Sequence, residues 1–179
     1  MLPSASTGRI IRKRKDVSFY DENDESRYVY RLKKGLVILT RYCVDSDFSH
    51  GFGLIQEGGL FGEETVVGLP RQHTAEVIHD AEIEELPSYD THEVLLAAYQ
   101  RGLLVQQLPM LRARERLRLI TASYPGIALR IRDVASLSWC RRETASHIMS
   151  NAYRTSIRNR DTILKTKTGC GLYHFELGH

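Results

Sequence analysis

The sequence has few cysteines, and none of them lies in a metal-binding or redox pattern. The three thiols, Cys43, Cys140 and Cys170, are far apart, and no CxxC pair occurs. An odd number of scattered cysteines argues against a disulfide framework, an iron–sulfur cluster or a zinc site. We therefore expect no metal, and we interpret the thiols as small apolar residues.

Long apolar runs are missing as well. No segment approaches the roughly 18 consecutive apolar residues of a membrane span. The basic N-terminus is not followed by the apolar stretch of a secretory signal. Paired carboxylates, nucleophile elbows, phosphate-binding loops and metal-ligand spacings, which mark common enzyme classes, do not occur either. We expect a cytoplasmic protein that has no membrane partner and is not an enzyme.

Positive charge is concentrated in the C-terminal part of the chain. Residues 1–109 contain 12 Lys and Arg against 17 Asp and Glu, whereas residues 110–179 contain 13 against 5. Such an asymmetry is typical of a nucleic-acid-binding region joined to a region with another role.

Residues 8–88 are predicted to form short strands separated by turns. Segments 28–32 and 36–40 are rich in β-branched and aromatic residues, with a turn predicted at Lys33, Lys34 and Gly35 between them. Further short strands are predicted at 53–55, 74–78 and 82–86. Closely spaced strands without intervening helices favour a sandwich or a small barrel.

Residues 91–121 have apolar side chains at helical spacing, beginning with Val94, Leu95 and Ala98. We predict a long helix that is kinked or broken near Pro109, since proline removes a backbone donor. An apolar helix between two domains commonly packs on its own copy, so we predict a homodimer. The alternative is a core helix within one chain.

A helix-turn-helix is predicted after Ile131. Residues 133–137 form the first helix, residues 138–140 the turn, and a second helix runs from Arg141 to about Tyr153. The apolar positions of the second helix lie on one stripe, at Ala145, Ile148, Met149 and Ala152. Its polar side chains fall on the opposite face, which is the arrangement that a recognition helix in the major groove requires.

The polar face carries the chemistry for reading bases. Arg142 can donate two hydrogen bonds to guanine, and Glu143 can accept one from cytosine. We assign base contacts to Arg142, Glu143, Ser146 and His147. Phosphate contacts, which add affinity without sequence information, are assigned to Arg141, Thr144, Arg154, Arg158, Arg160, Lys165 and Lys167. A hairpin of segments 162–167 and 172–175 is predicted to form a wing.

The chain resembles the cyclic-AMP receptor protein/FNR (CRP/FNR) family of bacterial transcription regulators along nearly its whole length. The resemblance depends on Arg-Glu-Thr at 142–144 within segment 140–149, on Gly-Leu-Phe-Gly-Glu-Glu at 59–64, and on Arg71 ahead of Thr-Ala-Glu at 74–76. It implies an α+β fold with three parts. These are an N-terminal cyclic-nucleotide-binding-like β-barrel of jelly-roll type (1–90), a dimerisation helix (91–121) and a C-terminal winged helix-turn-helix (122–179).

The resemblance also implies an effector site at Gly62, Glu63, Arg71 and Gln72. Gly62 and Glu63 match the pair that holds the ribose of cyclic AMP. Arg71 matches the arginine that holds the cyclic phosphate, but Gln72 replaces the adjacent serine, and the long helix lacks the Thr-Ser pair of the adenine contact. Cyclic AMP is thus one expectation; a degenerate site, in which Arg71 and Glu63 pair with each other, is the other. On the recognition helix, His147 replaces the arginine that usually serves as third base reader.

The leading hypothesis is a homodimeric regulator that binds a two-fold-symmetric duplex site. It includes RNA polymerase as a partner if the protein activates transcription; the sequence does not decide between activation and repression. The alternative is a cyclic-nucleotide or small-anion binding module whose basic C-terminal part docks on a protein partner.

Overall fold

In a computed structural model of the protein, residues 8–87 and 89–159 are described, with side chains described as far as Asn151. These residues form two compact units. One, the sheet unit, consists of residues 8–42 and 51–106. The other, the helical unit, consists of residues 43–50 and 107–159. The predicted wing at 162–175 lies outside the described residues, and the predicted domain boundaries at 90 and 121 stay predictions.

The sheet unit is built on a six-stranded sheet. Its strands are β1 (Ile10–Lys13), β2 (Val17–Tyr20), β3 (Val29–Cys43), β4 (Phe48–Ile55), β5 (Leu60–Phe61) and β6 (Thr74–Leu86). The main path of the sheet is β1-β6-β3-β4, with β2 also paired to β6 and β5 to β3. Strand β6 is antiparallel to β1, β2 and β3.

The predicted turn at residues 33–35 is wrong. Strand β3 continues through it, and the register against β6 shifts between Leu32 and Val37. Gly35 lies in this irregular stretch with φ +99°, and a Cβ there would overlap the carbonyl oxygen of Asp80. A glycine in an extended segment therefore marks a bulge where two backbones approach closely, which in sequence looks like a turn. The predicted strands at 74–78 and 82–86 likewise form one strand, β6.

The core of the sheet unit is aromatic at one end. Tyr20, Tyr30 and Phe61 are buried and pack with ring centroids 5.4–6.1 Å apart. Helix α1 (Glu64–Val67) is a single short turn after β5. Helix α2 (Thr91–Gln107) packs through Val94 on a second buried cluster.

The predicted interruption at Pro109 is confirmed. Helix α2 ends at Gln107, a 3-10 turn spans Leu108–Met110, and helix α3 runs over Ala113–Ser123. The segment is therefore two helices and not one long helix. No helix among the described residues has the length and apolar character needed to cross a membrane.

The helical unit continues with α4 (Ile131–Leu137) and α5 (Arg142–Asn159). Helices α3, α4 and α5 contact each other. Their shared core includes Leu117, Ile120, Val134, Leu137 and Met149, all at most 5% exposed.

Candidate nucleic-acid interface and effector site

Helix α4 is fixed at its N-terminus by the ion pair of Arg130 with Asp133. The Asp133 carboxylate accepts a hydrogen bond from the Arg130 backbone N–H at 3.2 Å and another from its Nε at 2.8 Å. Asp133 is 5% exposed. An acidic side chain in the first turn satisfies a free backbone donor and complements the helix dipole.

The turn between α4 and α5 satisfies the last carbonyls of α4. The Ser138 hydroxyl donates to the Val134 carbonyl at 2.7 Å. The Trp139 N–H donates to Ser136 O at 3.1 Å and the Cys140 N–H to Ala135 O at 2.9 Å. Trp139 has φ +51°, the left-handed region that a bulky side chain seldom adopts. These bonds set where α5 begins, one residue after the predicted Arg141.

Helix α5 is divided into a buried and an exposed face. Ala145 is 0% and Met149 5% exposed, and Ile148 is half-buried. The side chains assigned to base reading are all exposed: Arg142, Glu143, Ser146 and His147. The predicted stripe therefore faces the unit's core as far as its side chains are described, and the polar face is accessible.

The residues assigned to phosphates are placed only in part. Arg141 and Thr144 are exposed at the start of α5. Arg154 and Arg158 lie on α5, where only the backbone is described. Arg160, Lys165 and Lys167 lie outside the described residues.

Within the sheet unit, Arg71 is enclosed by the protein. It is 1% exposed and bonded on two sides: Nη1 lies 3.3 Å from Glu64 Oε2, and Nη2 donates to the Tyr28 carbonyl at 2.7 Å. Its Cζ lies 4.5 Å from the Tyr20 ring centroid and 5.2 Å from that of Tyr30, within the range of cation–π attraction. Burial raises the pKa of Tyr20, so the phenol stays neutral beside the guanidinium.

The buried partner of Arg71 is Glu64, and not Glu63. Glu64 is 5% exposed, and its Oε1 accepts from the Gln72 backbone N–H at 3.1 Å and lies 3.5 Å from His73 Nδ1. Burial alone would raise the pKa of Glu64, but His73, the backbone N–H groups and Arg71 outweigh it and lower the pKa to about 2. The carboxylate is therefore ionised at neutral pH, and the pair carries no net charge.

The other predicted effector residues have partners of their own. Glu63 Oε2 lies 2.8 Å from Arg101 Nη2, and Arg101 Nη1 donates to Leu60 O at 2.9 Å. The Gln72 side chain donates to the Pro70 carbonyl at 3.1 Å. Gly62 has φ +87°, and a Cβ there would lie 2.7 Å from Arg71 Nη1, so this glycine makes room for the enclosed arginine.

Solved structures resemble the chain, although no protein-family model and no curated protein matches it. A CRP-family transcriptional regulator from Thermus thermophilus superimposes with a TM-score of 0.67 at 22% identity, over 82% of this chain and 86% of that one. A CRP/FNR-family regulator from the same organism gives 0.69 at 19% identity, over 92% and 91%. The c-di-GMP-responsive global regulator CLP of Xanthomonas campestris gives 0.70 at 13% identity, over 96% of both chains.

The chain has the CRP/FNR fold. The family resemblance drawn from the motifs at 59–64 and 142–144 is thereby supported over most of the length. The two Thermus thermophilus neighbours are described as transcriptional regulators, and CLP as a global regulator that links cell–cell signalling to virulence gene expression.

Two features of this CRP/FNR fold could not be predicted from the motifs. Glu63 and Glu64 are adjacent carboxylates, and only the geometry of the turn after β5 decides which of them faces Arg71. Arg101 lies in the predicted helix, but its reach to Glu63 depends on how α2 packs on the sheet. The motif correctly predicts an ion pair between Arg71 and a glutamate, but it predicts the wrong glutamate, Glu63 in place of Glu64.

Proposed function

We propose that the protein is a homodimeric, sequence-specific DNA-binding transcription regulator of the CRP/FNR type, in which α5 is the recognition helix. The observation that carries this proposal is the division of α5. Ala145 and Met149 anchor the helix in the helical unit, while Arg142, Glu143 and His147 are left exposed. Exposed hydrogen-bonding groups at the N-terminus of a packed helix are what major-groove readout needs.

The sign of the charge supports a polyanionic partner. Lys and Arg outnumber Asp and Glu only in the C-terminal part of the chain, residues 110–179, by 13 to 5. Arg141, which immediately precedes α5, and Arg142, its first residue, are both exposed. A protein-docking module would not require base-reading side chains on this face. A steep loss of binding with rising salt would favour DNA.

Selection of binding sites from random duplexes tests the proposal. We expect recovered sequences to share a two-fold-symmetric site with half-sites about one helical turn apart. Recovery of sequences without a common element would contradict the proposal. If the chain binds a protein partner and DNA does not displace that partner, the alternative is favoured, namely a binding module that docks on a protein.

Replacing Arg142 with alanine should cost about 1–3 kcal/mol on the selected site and relax the preference at one base pair of each half-site. Binding titrations with the selected duplex and its single-base variants measure both quantities. The neighbouring Arg141→Ala is the matched control: it should weaken binding to all duplexes alike, with a shallower dependence on salt. An unchanged base preference in Arg142→Ala would remove this residue from the reading face.

An apolar stripe on α2 is proposed as the dimer interface. Leu95, Leu96 and Tyr99 are 42%, 45% and 62% exposed, although all three are large and apolar. They lie opposite Val94, which packs on the sheet. A second copy covers such a stripe when it pairs α2 with its own image across a two-fold axis. The same axis would give the DNA site its symmetry.

Replacing Leu95 and Tyr99 together with glutamate should weaken the dimer by more than about 100-fold, because each chain would bury two carboxylates. Sedimentation at several concentrations measures the change. Gln100→Glu is the matched control, since it adds a carboxylate to an exposed position of the same helix beside the stripe. A double variant that dimerises like the unaltered protein would place the interface elsewhere.

We also propose that the effector site is degenerate and that DNA binding needs no cyclic nucleotide. The guanidinium that would hold a cyclic phosphate already has an anion, the Glu64 carboxylate, and both groups are buried. A nucleotide would have to displace this carboxylate from Arg71, and separating a buried ion pair leaves an uncompensated buried charge. The site selection can be repeated with cyclic AMP, and also with c-di-GMP, to which the structurally similar CLP responds. Neither nucleotide should change the affinity of the protein for the selected duplex.

A further inference from the structure

The tip of the β3–β4 hairpin, residues 43–50, belongs to the helical unit. It contacts the helix-turn-helix at two points. The Ser136 hydroxyl of α4 donates to the Ser49 carbonyl at 2.8 Å. The His50 ring stacks on the Trp139 ring, with centroids 4.7 Å apart and planes at 22°. A segment that is continuous with two strands of the sheet thus contacts the turn that precedes the recognition helix.

His50 is held in place on its other sides. Its Nε2 lies 2.9 Å from the Ser46 hydroxyl, and its ring centroid lies 4.6 Å from that of Phe48. Burial, assisted by the positive charge of Arg116, lowers the pKa of His50, so the ring is neutral at neutral pH. A preorganised neutral ring loses little side-chain freedom when it stacks on an aromatic partner.

Trp139 is the residue of the turn that most needs such support. A left-handed conformation is strained for a bulky residue, and it persists only where neighbouring contacts impose it. Trp139 precedes Arg142 by three residues, so its backbone angles set the direction in which α5 leaves the turn. The stack with His50 and the bond from Ser136 to Ser49 fix the two sides of this bend.

We propose that the hairpin tip is a positioning element for DNA recognition, in which His50 acts through Trp139 to hold α5 in the orientation that presents Arg142 and Glu143. The inference rests on the proposed function. It assigns part of the specificity to a segment outside the helix-turn-helix. His50 and Ser49 are positioning residues here, because the contacts that they make are with the turn and α4.

The test uses the full chain, the duplex recovered by site selection, and a random duplex of equal length. His50→Ala should weaken binding to the selected duplex by about 10-fold, the equivalent of one lost aromatic contact that α5 needs. Binding to the random duplex should not change. His50→Phe, which keeps a ring against Trp139, is the matched control and should bind both duplexes like the unaltered protein.

Trp139 is the only tryptophan of the sequence, so its fluorescence reports on the stack without DNA. In His50→Ala the emission maximum should shift and the Trp139 ring should become more accessible to quenchers. Neither change should occur in His50→Phe. His50→Ala introduced into Trp139→Gly should have no further effect on DNA binding, because the two residues act as one contact. A merely structural role of His50 would give additive losses instead.

The two proposals fail in distinguishable ways. If the unaltered protein prefers no duplex sequence, the proposed function is wrong, whatever the fluorescence shows. If His50→Ala exposes Trp139 but binds the selected duplex with unaltered affinity, DNA recognition stands and the positioning role is wrong. Unaltered fluorescence in His50→Ala would also overturn it. If His50→Ala does not fold, Ser136→Ala takes its place: a loss of affinity confined to the selected duplex supports the role, and equal affinity contradicts it.

Discussion

Replacing Arg71 with methionine should lower the free energy of unfolding by about 3–5 kcal/mol, since it leaves a buried carboxylate without its cation. Glu64 is 5% exposed and Arg71 1%, so water cannot replace the lost partner. The Tyr28 carbonyl, which accepts from Arg71 Nη2 at 2.7 Å, loses its hydrogen bond as well. Urea denaturation of the variant and the unaltered protein measures the difference.

The double variant separates the ion pair from the packing of its side chains. Arg71→Met combined with Glu64→Gln removes both charges, so it should be destabilised by less than the sum of the two single variants, with a coupling energy of about 1–3 kcal/mol. Arg12 and Glu82 form an exposed ion pair at 2.9 Å with side chains 80% and 39% exposed. Arg12→Ala is therefore the control, with an expected change below about 1 kcal/mol. Strict additivity at 71 and 64 would contradict the pairing.

Acidification should destabilise the protein over a defined pH range through Glu64. Its pKa in the folded protein is about 2 against 4.5 for the ordinary side chain. A lowered folded-state pKa contributes stability that is fully present above the ordinary value and is lost as the pH falls toward the folded one. Between about pH 4.5 and pH 2 the protein should therefore lose stability on the order of 3 kcal/mol from this group.

Glu64→Gln isolates this contribution. The difference in unfolding free energy between the unaltered protein and Glu64→Gln should be largest at neutral pH and should shrink as the pH falls from 4.5 toward 2. Glu25→Gln is the control, because Glu25 forms an exposed pair with Arg27 at 2.6 Å that solvent screens. A difference that stays constant with pH would mean that Glu64 does not carry the charge assigned to it.

Periodicity in the sequence was sufficient to predict helix α5 and its buried face. Ala145, Ile148 and Met149 recur at the spacing of one helical face. An amphipathic helix of a globular protein buries its apolar face, so the pattern also predicts which side is exposed. The exposure of Arg142 and Glu143 followed from that pattern alone. The same local reasoning located the break at Pro109, because the missing backbone donor acts within one turn.

Features that depend on distant contacts were predicted less well. Lys33, Lys34 and Gly35 have the composition of a turn, but the pairing of β3 with the whole length of β6 keeps the strand continuous. The choice of Glu64 over Glu63 as the partner of Arg71 depends on the path of the backbone after β5. The stack of His50 on Trp139 joins residues 89 positions apart, and neither has a local pattern that indicates the other.

The bulge at Gly35 also has a consequence for folding. Successive side chains of a strand point to opposite faces, so a slip of β3 by one residue would exchange Val37 and Leu39 with Leu36 and Ile38, although both sets are buried and packed on their own sides. Only a residue without a Cβ fits against Asp80 there, so the irregularity can form at a single place. A larger side chain at Gly35 would not fit the bulge, and the register of β3 against β6 would no longer be fixed there. The expected faults are a strained native state and, during folding, mispaired and aggregation-prone chains.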